Sequence, residues 1–116
     1  MYNFGKNVVL DFREVQYYPE IHRIIKKALD LPEWYGENWD ALWDCLTDII
    51  DEEELTVEIL GIDNIRRKFP TVENMLIRIF REWKGYGAGR YAENTHIFIV
   101  ENGYEKELTA IIDADT

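Results

Sequence analysis

The stretch from Glu33 to Glu54 holds nine carboxylates and no lysine or arginine, together with three of the chain's four tryptophans. Any fold must leave that charge where water or a partner reaches it, because unpaired ionised carboxylates are too costly to bury. The segment LPEWYGENWDALWDCLTDII, residues 31–50, reads as a loop that runs into a helix. Pro32 excludes a continuing helix, and Gly36 permits a turn with positive φ. Asn38 is the expected N-cap, with Asp40 in the first turn where the helix dipole favours a negative charge. At 100° per residue, Trp39, Leu42, Leu46, Ile49 and Ile50 share one arc, the core face. Asp40, Asp44, Asp48 and Asp51 share another, with Glu37 close by and Trp43 and Thr47 on the border. Like charges one turn apart each destabilise a helix by about 0.2–0.5 kcal/mol. A helix concerned only with folding would alternate its signs. This one accumulates repulsion that a positively charged partner would relieve.

With 116 residues, 47% of them hydrophobic, the chain is expected to form one domain, residues 1–116, with its core over about 7–101 and an extension over 102–116. Its net charge of −10 disfavours direct binding to RNA, DNA or an acidic lipid surface. Basic partners are favoured, and the charge asymmetry speeds their association. Arg66, Arg67, Lys68, Arg78, Arg81, Lys84 and Arg90 are read as lying away from the acidic helix, which would make the negative field one-sided. No apolar run approaches the roughly 20 residues that span a bilayer. The N-terminal MYNFGKNVVL lacks a secretory pattern, and Cys45 has no second cysteine to pair with, so a cytoplasmic setting is expected.

In chain order, Asn7–Phe12 is a β-branched run expected to be a strand covered on both faces. Residues 18–29 carry a helical stripe of Ile21, Ile24, Ile25, Ala28 and Leu29, with Pro19 in the first turn and His22, Arg23, Lys26 and Lys27 outward. Glu54–Leu60 alternates as a second strand, and Ile62–Phe69 is a short helical connection. Thr71–Lys84 is a helix with Val72, Met75, Leu76, Ile79, Phe80 and Trp83 inward and Arg78, Arg81 and Lys84 solvated. Gly85, Gly87 and Gly89 stop it, and Thr95–Glu101 is a third strand. Strands alternating with helices imply a parallel α/β arrangement. Asn102-Gly103 is a hairpin signal, so Tyr104–Ile112 returns either as an antiparallel edge strand or as a short helix.

The carboxylates do not read as chemistry. Acid–base couples need opposed groups in unlike environments, and calcium loops wind their acids around a turning backbone; a row on one helix face suits neither. No catalytic residue, metal or cofactor is therefore expected, and a carboxylate-dependent hydrolase is the disfavoured reading. Cys45 is read as a packed core-edge thiol, His22 as a surface residue and His96 as a strand residue. The GYGAG run lacks the Lys-Ser/Thr of a phosphate loop. Trp34 and Tyr35 are read as core plugs or, by preference, as exposed stacking anchors, since binding hot spots favour these side chains. What remains is an acidic surface with aromatic anchors, able to stand in for nucleic-acid phosphates in a basic cleft.

Leu31-Pro32-Glu33, Tyr35-Gly36-Glu37-Asn38 and the run Asp40–Thr47 closely resemble the loop and second helix of the barstar family, intracellular inhibitors of barnase-type ribonucleases. Phe80-Arg81-Glu82 resembles that family's last helix. The resemblance implies an α/β fold with a small three-stranded parallel sheet and about four helices, to which the tail adds a strand or a helix. It implies a monomeric, non-enzymatic inhibitor that plugs a basic, extracellular-type ribonuclease. The residues it assigns to the partner are Trp34, Tyr35, Gly36, Asn38, Asp40, Trp43, Asp44, Thr47 and Glu82. Asp44 would take the phosphate site, Asp40 a guanidinium at the cleft rim, and Trp34 would stack on a catalytic imidazole. Asp48, Ile49 and Tyr86 depart from the family pattern, as do the missing second cysteine and the extra tail. The alternative is an acidic interaction or immunity module for a basic partner that is not a ribonuclease.

Overall fold

In the computed structural model of the chain, residues 6–49, 54–86 and 94–111 are described. The three apolar, β-branched runs form β1 (Asn7–Asp11), β2 (Leu55–Leu60) and β3 (Thr95–Glu101), followed by β4 (Tyr104–Glu107). The sheet order is β1-β2-β3-β4; the first three strands are parallel, and β4 runs antiparallel to β3. The three parallel strands are as expected, and of the two readings of the tail the strand is the one found. Asn102 and Gly103 both take positive φ, 52° and 80°, as a tight hairpin turn requires.

Register aligns Val8 with Val57 and Ile97, and Leu10 with Ile59 and Ile99, in the core. Val9, Glu58 and Phe98 align on the opposite face. The expectation that β1 is covered on both faces is corrected here. Burial alternates along it, and Val9 is 48% exposed, because the described helices cover one side of the sheet. An apolar run reveals that a strand is covered, not on how many sides.

Four helices pack on that side: α1 (Tyr18–Ala28), α2 (Trp39–Asp48), α3 (Ile62–Lys68) and α4 (Pro70–Lys84). The acidic helix therefore ends slightly before the expected Ile50 or Asp51, both of which lie outside the described residues, as do Gly87, Gly89 and Arg90. On α4, Val72, Leu76, Ile79, Phe80 and Trp83 are buried as the periodicity predicts, but Met75 is 45% exposed. Lys84, expected in solvent, is buried. Its Nζ donates to the Thr95 carbonyl at 2.8 Å and sits 3.6 Å from the Glu107 carboxylate, so the charge is buried with partners. Arg81 Nε likewise donates to the Thr109 carbonyl at 2.9 Å. The tail explains both, since Leu108 is buried and donates its N–H to the Ile97 carbonyl, closing over the end of α4. No described helix is long and apolar enough to cross a membrane.

The end of β2 passes close to the turn after β1. Gly61 caps α3 at φ 81°, and a Cβ built there would lie 2.6 Å from the carbonyl carbon of Phe12. Asn64, one turn on, donates from Nδ2 to the Phe12 and Val15 carbonyls at 2.9 and 3.0 Å. Left-handed strain and a backbone collision act together at this glycine. Gly61→Ala should therefore cost at least about 2 kcal/mol in urea unfolding. A variant within about 0.5 kcal/mol of the unaltered protein would show that the two segments part without cost.

Candidate functional site

The loop before α2 is built on backbone that its sequence only partly announces. Tyr35 donates its N–H to the Pro32 carbonyl at 2.9 Å. Positive φ falls on Glu37 at 52°, not on Gly36 as expected. Gly36 matters for another reason: a Cβ there would press on the Asn38 amide at 3.1 Å, the group that donates to the Gly36 carbonyl, and that side chain would have to shift to make room. Asn38 Oδ1 accepts from the Ala41 N–H at 2.8 Å, which is the expected N-cap. Helix α2 then starts in a fixed direction, with Leu42, Cys45 and Leu46 buried against the core.

Trp34 and Tyr35 part company. Trp34 is 71% exposed, whereas Tyr35 is buried at 4%. The expectation that Tyr35 is an exposed anchor is therefore corrected. Its phenol runs inward to His22 Nδ1, 2.5 Å away, and His22 Nε2 meets the Tyr18 hydroxyl at 3.2 Å. The Trp39 ring lies 4.7 Å from the His22 ring, centroid to centroid. His22, read from sequence as outward, is fully buried at the centre of this cluster. A signal for this was present: on the helix it sits only 20° from Leu29, a core residue seven positions on. Tyr35 thus anchors the loop from behind while Trp34 projects from it.

The acidic face stands outward as predicted. Asp40 and Asp44 are exposed, and neither forms an ion pair among the described residues. Asp51 lies outside the described residues. Trp43 and Thr47 are half-buried at the border; Trp43 meets Tyr86 edge-to-face at 5.8 Å, and the Thr47 hydroxyl donates to the Asp44 carbonyl at 3.1 Å.

Between α2 and α4 runs an open groove of about 530 Å³. Trp39, Asp40, Trp43 and Asp44 form one wall; Met75, Arg78, Ile79 and Glu82 form the other. This explains why Met75 is out of the core, and it gathers Glu82 with the aspartates. It also corrects the placement of Arg78 away from the acidic helix. Arg78 lines the same groove, and its Nε donates to Glu82 Oε1 at 2.7 Å. Spacing along one helix could not show this, because the groove is made by packing two helices distant in sequence. Among the described residues, no group of three or more His, Cys, Asp or Glu side chains converges as metal ligands would.

A mostly parallel sheet with helices on one face, and an acidic groove edged by tryptophans between two of them, defines a small α/β domain of the barstar-like kind. The chain belongs to the barstar family: residues 5–100 match the family described as Barstar (barnase inhibitor). It is also similar to the Bacillus subtilis (strain 168) protein named "Putative ribonuclease inhibitor YrdF", at 41% identity over 46 residues. That match takes in 40% of this chain and spans half the length of that relative.

The buried cluster predicts a pH dependence. Burial holds the His22 pKa below its ordinary 6.5, against the opposing pull of the Glu37 charge. The unfolded chain therefore binds the proton more readily than the native state. The stability that neutral His22 contributes is complete above about pH 6.5 and is lost as pH falls from there toward the folded pKa. In urea unfolding between about pH 7.5 and 5, the protein should lose stability more steeply than His22→Gln. Parallel curves for the two would remove His22 from this role.

Proposed function

We propose that this protein inhibits a basic ribonuclease of the barnase type by seating the outer face of α2 and the Trp34 loop in the enzyme's RNA-binding cleft. Asp40 and Asp44 carry the reading: two exposed carboxylates on a capped helix, neither of them in an ion pair among the described residues. The ordinary course for such a helix is to neutralise its acids with neighbouring lysines or arginines. Here the neutralising charges are left to a partner.

The roles proposed are those that the family resemblance implies. Asp44, in the middle of the face, stands in for the phosphate at the cutting site. Asp40, one turn earlier, meets a guanidinium at the cleft rim. Trp34 offers a free indole for stacking on a catalytic imidazole or guanidinium. Trp43 and Thr47 flank the contact, while Gly36 and Asn38 give the loop its shape. Tyr35 acts from the rear by holding the loop to His22. The family's members are inhibitors, and the Bacillus subtilis relative is named for ribonuclease inhibition, which supports a ribonuclease as the target class. Ordering costs are small because the loop and helix are already held by core contacts and a cap. Net charge of −10 steers a basic enzyme toward this face and keeps RNA away.

Asp44→Ala should weaken binding to barnase by at least about 2 kcal/mol, roughly thirtyfold in Kd, as interface hot spots do. The barnase–barstar pair is itself one of the systems from which that hot-spot scale was drawn, so the magnitude is borrowed, and the direction and the residue are what is predicted. Unfolding of the variant should be unchanged or slightly harder, since one like-charge contact is removed. An unaltered dissociation constant would take Asp44 out of the interface.

A further inference from the structure

We propose that Arg78 decides which basic partner the groove accepts, by requiring a carboxylate on the partner's surface opposite it. This rests on the inhibitor reading and names a specificity determinant within that site. Arg78 is the cation among the described groove-lining residues, facing a wall that carries Asp40 and Asp44. Its side chain is 75% exposed. One of its five N–H donors is spent on Glu82, which leaves four on the two terminal nitrogens turned to water.

Stability does not account for it, because an exposed pair one turn apart contributes little to folding. Its effect is on recognition. In the free protein Arg78 takes up the charge of Glu82, so that this acid is not freely offered to the enzyme. When a basic surface docks, water leaves the groove and the guanidinium meets like charge with donors unmatched. Both effects penalise a partner that brings only lysines and arginines. A partner that sets a carboxylate there gains a charge-assisted, two-pronged contact instead, which lysine at this position could not offer. The cognate surface is thus basic around Asp40 and Asp44 and carries an acidic group facing the middle of α4.

Barnase and a panel of barnase variants, each with one cleft-rim lysine or arginine changed to glutamate, serve as probes. The unaltered protein, Arg78→Gln and Asp44→Ala are each titrated against the panel. Arg78→Gln should bind parent barnase about tenfold tighter than the unaltered protein, mainly through faster association that converges at high salt. At least one glutamate variant should reverse the order, binding the unaltered protein better than Arg78→Gln. If Arg78→Gln changes every affinity by the same factor, or by none, there is no coupling and the inference falls while the inhibitor reading stands. If the unaltered protein and all variants fail to bind any probe, the inhibitor reading falls and carries this inference with it. The urea midpoint of Arg78→Gln should match the unaltered protein, which separates selection from a folding effect.

Discussion

The inward face of α2 buries Leu42 and Leu46 completely, and the rest of the site depends on that contact. Each such leucine contributes about 1.5–3 kcal/mol relative to exposure. The repulsions between Asp40 and Asp44 and between Asp44 and Asp48 cost about 0.2–0.5 kcal/mol each. The burial term wins several times over, which is why a helix can hold Asp40, Asp44 and Asp48 in a row of like charges. The Asn38 cap adds about 1 kcal/mol and fixes where the helix begins. Tyr35, His22 and Trp39 then tie the preceding loop to the same core. Rigidity on one side is what allows a row of exposed acids on the other.

A site of this kind needs no moving part. The groove is the seam where α2 meets α4, and the loop that presents Trp34 is braced by a buried hydrogen bond to His22. Exposed carboxylates act over a Debye length of about 8–10 Å at ordinary ionic strength, so their pull on a basic enzyme is felt before contact and fades with salt. Arg78 tempers that pull at one point on the far wall, where it pairs with Glu82. On the proposed reading, affinity and selectivity would reside in different residues of one surface.

The helices were legible because their apolar spacing is local, and Thr71–Lys84 was found almost to the residue as α4. The three strands were legible from local β-branched runs and their parallel pairing from the alternation with helices, whereas Asn102-Gly103 left the tail open between the strand found and a short helix. What escaped was set by contacts between distant segments. His22 and Lys84 were placed outward because polar side chains usually are, yet each found buried partners supplied by another element: Tyr35 for one, Thr95 and Glu107 for the other. Trp34 and Tyr35 are neighbours with opposite fates, and two adjacent aromatics give no hint of which one faces the core. Asp40, Asp44, Trp43 and Thr47 fell where the helical wheel put them. Met75 and Arg78 joined them only once α4 was packed against α2.

The proposed mimicry of RNA by side-chain anions is tested most directly by the kinetics of RNA cleavage by barnase. Rates measured over a range of RNA concentrations, with increasing amounts of this protein, should show competitive inhibition whose inhibition constant rises with salt. Cleavage left untouched, or inhibition that added RNA does not relieve, would contradict it.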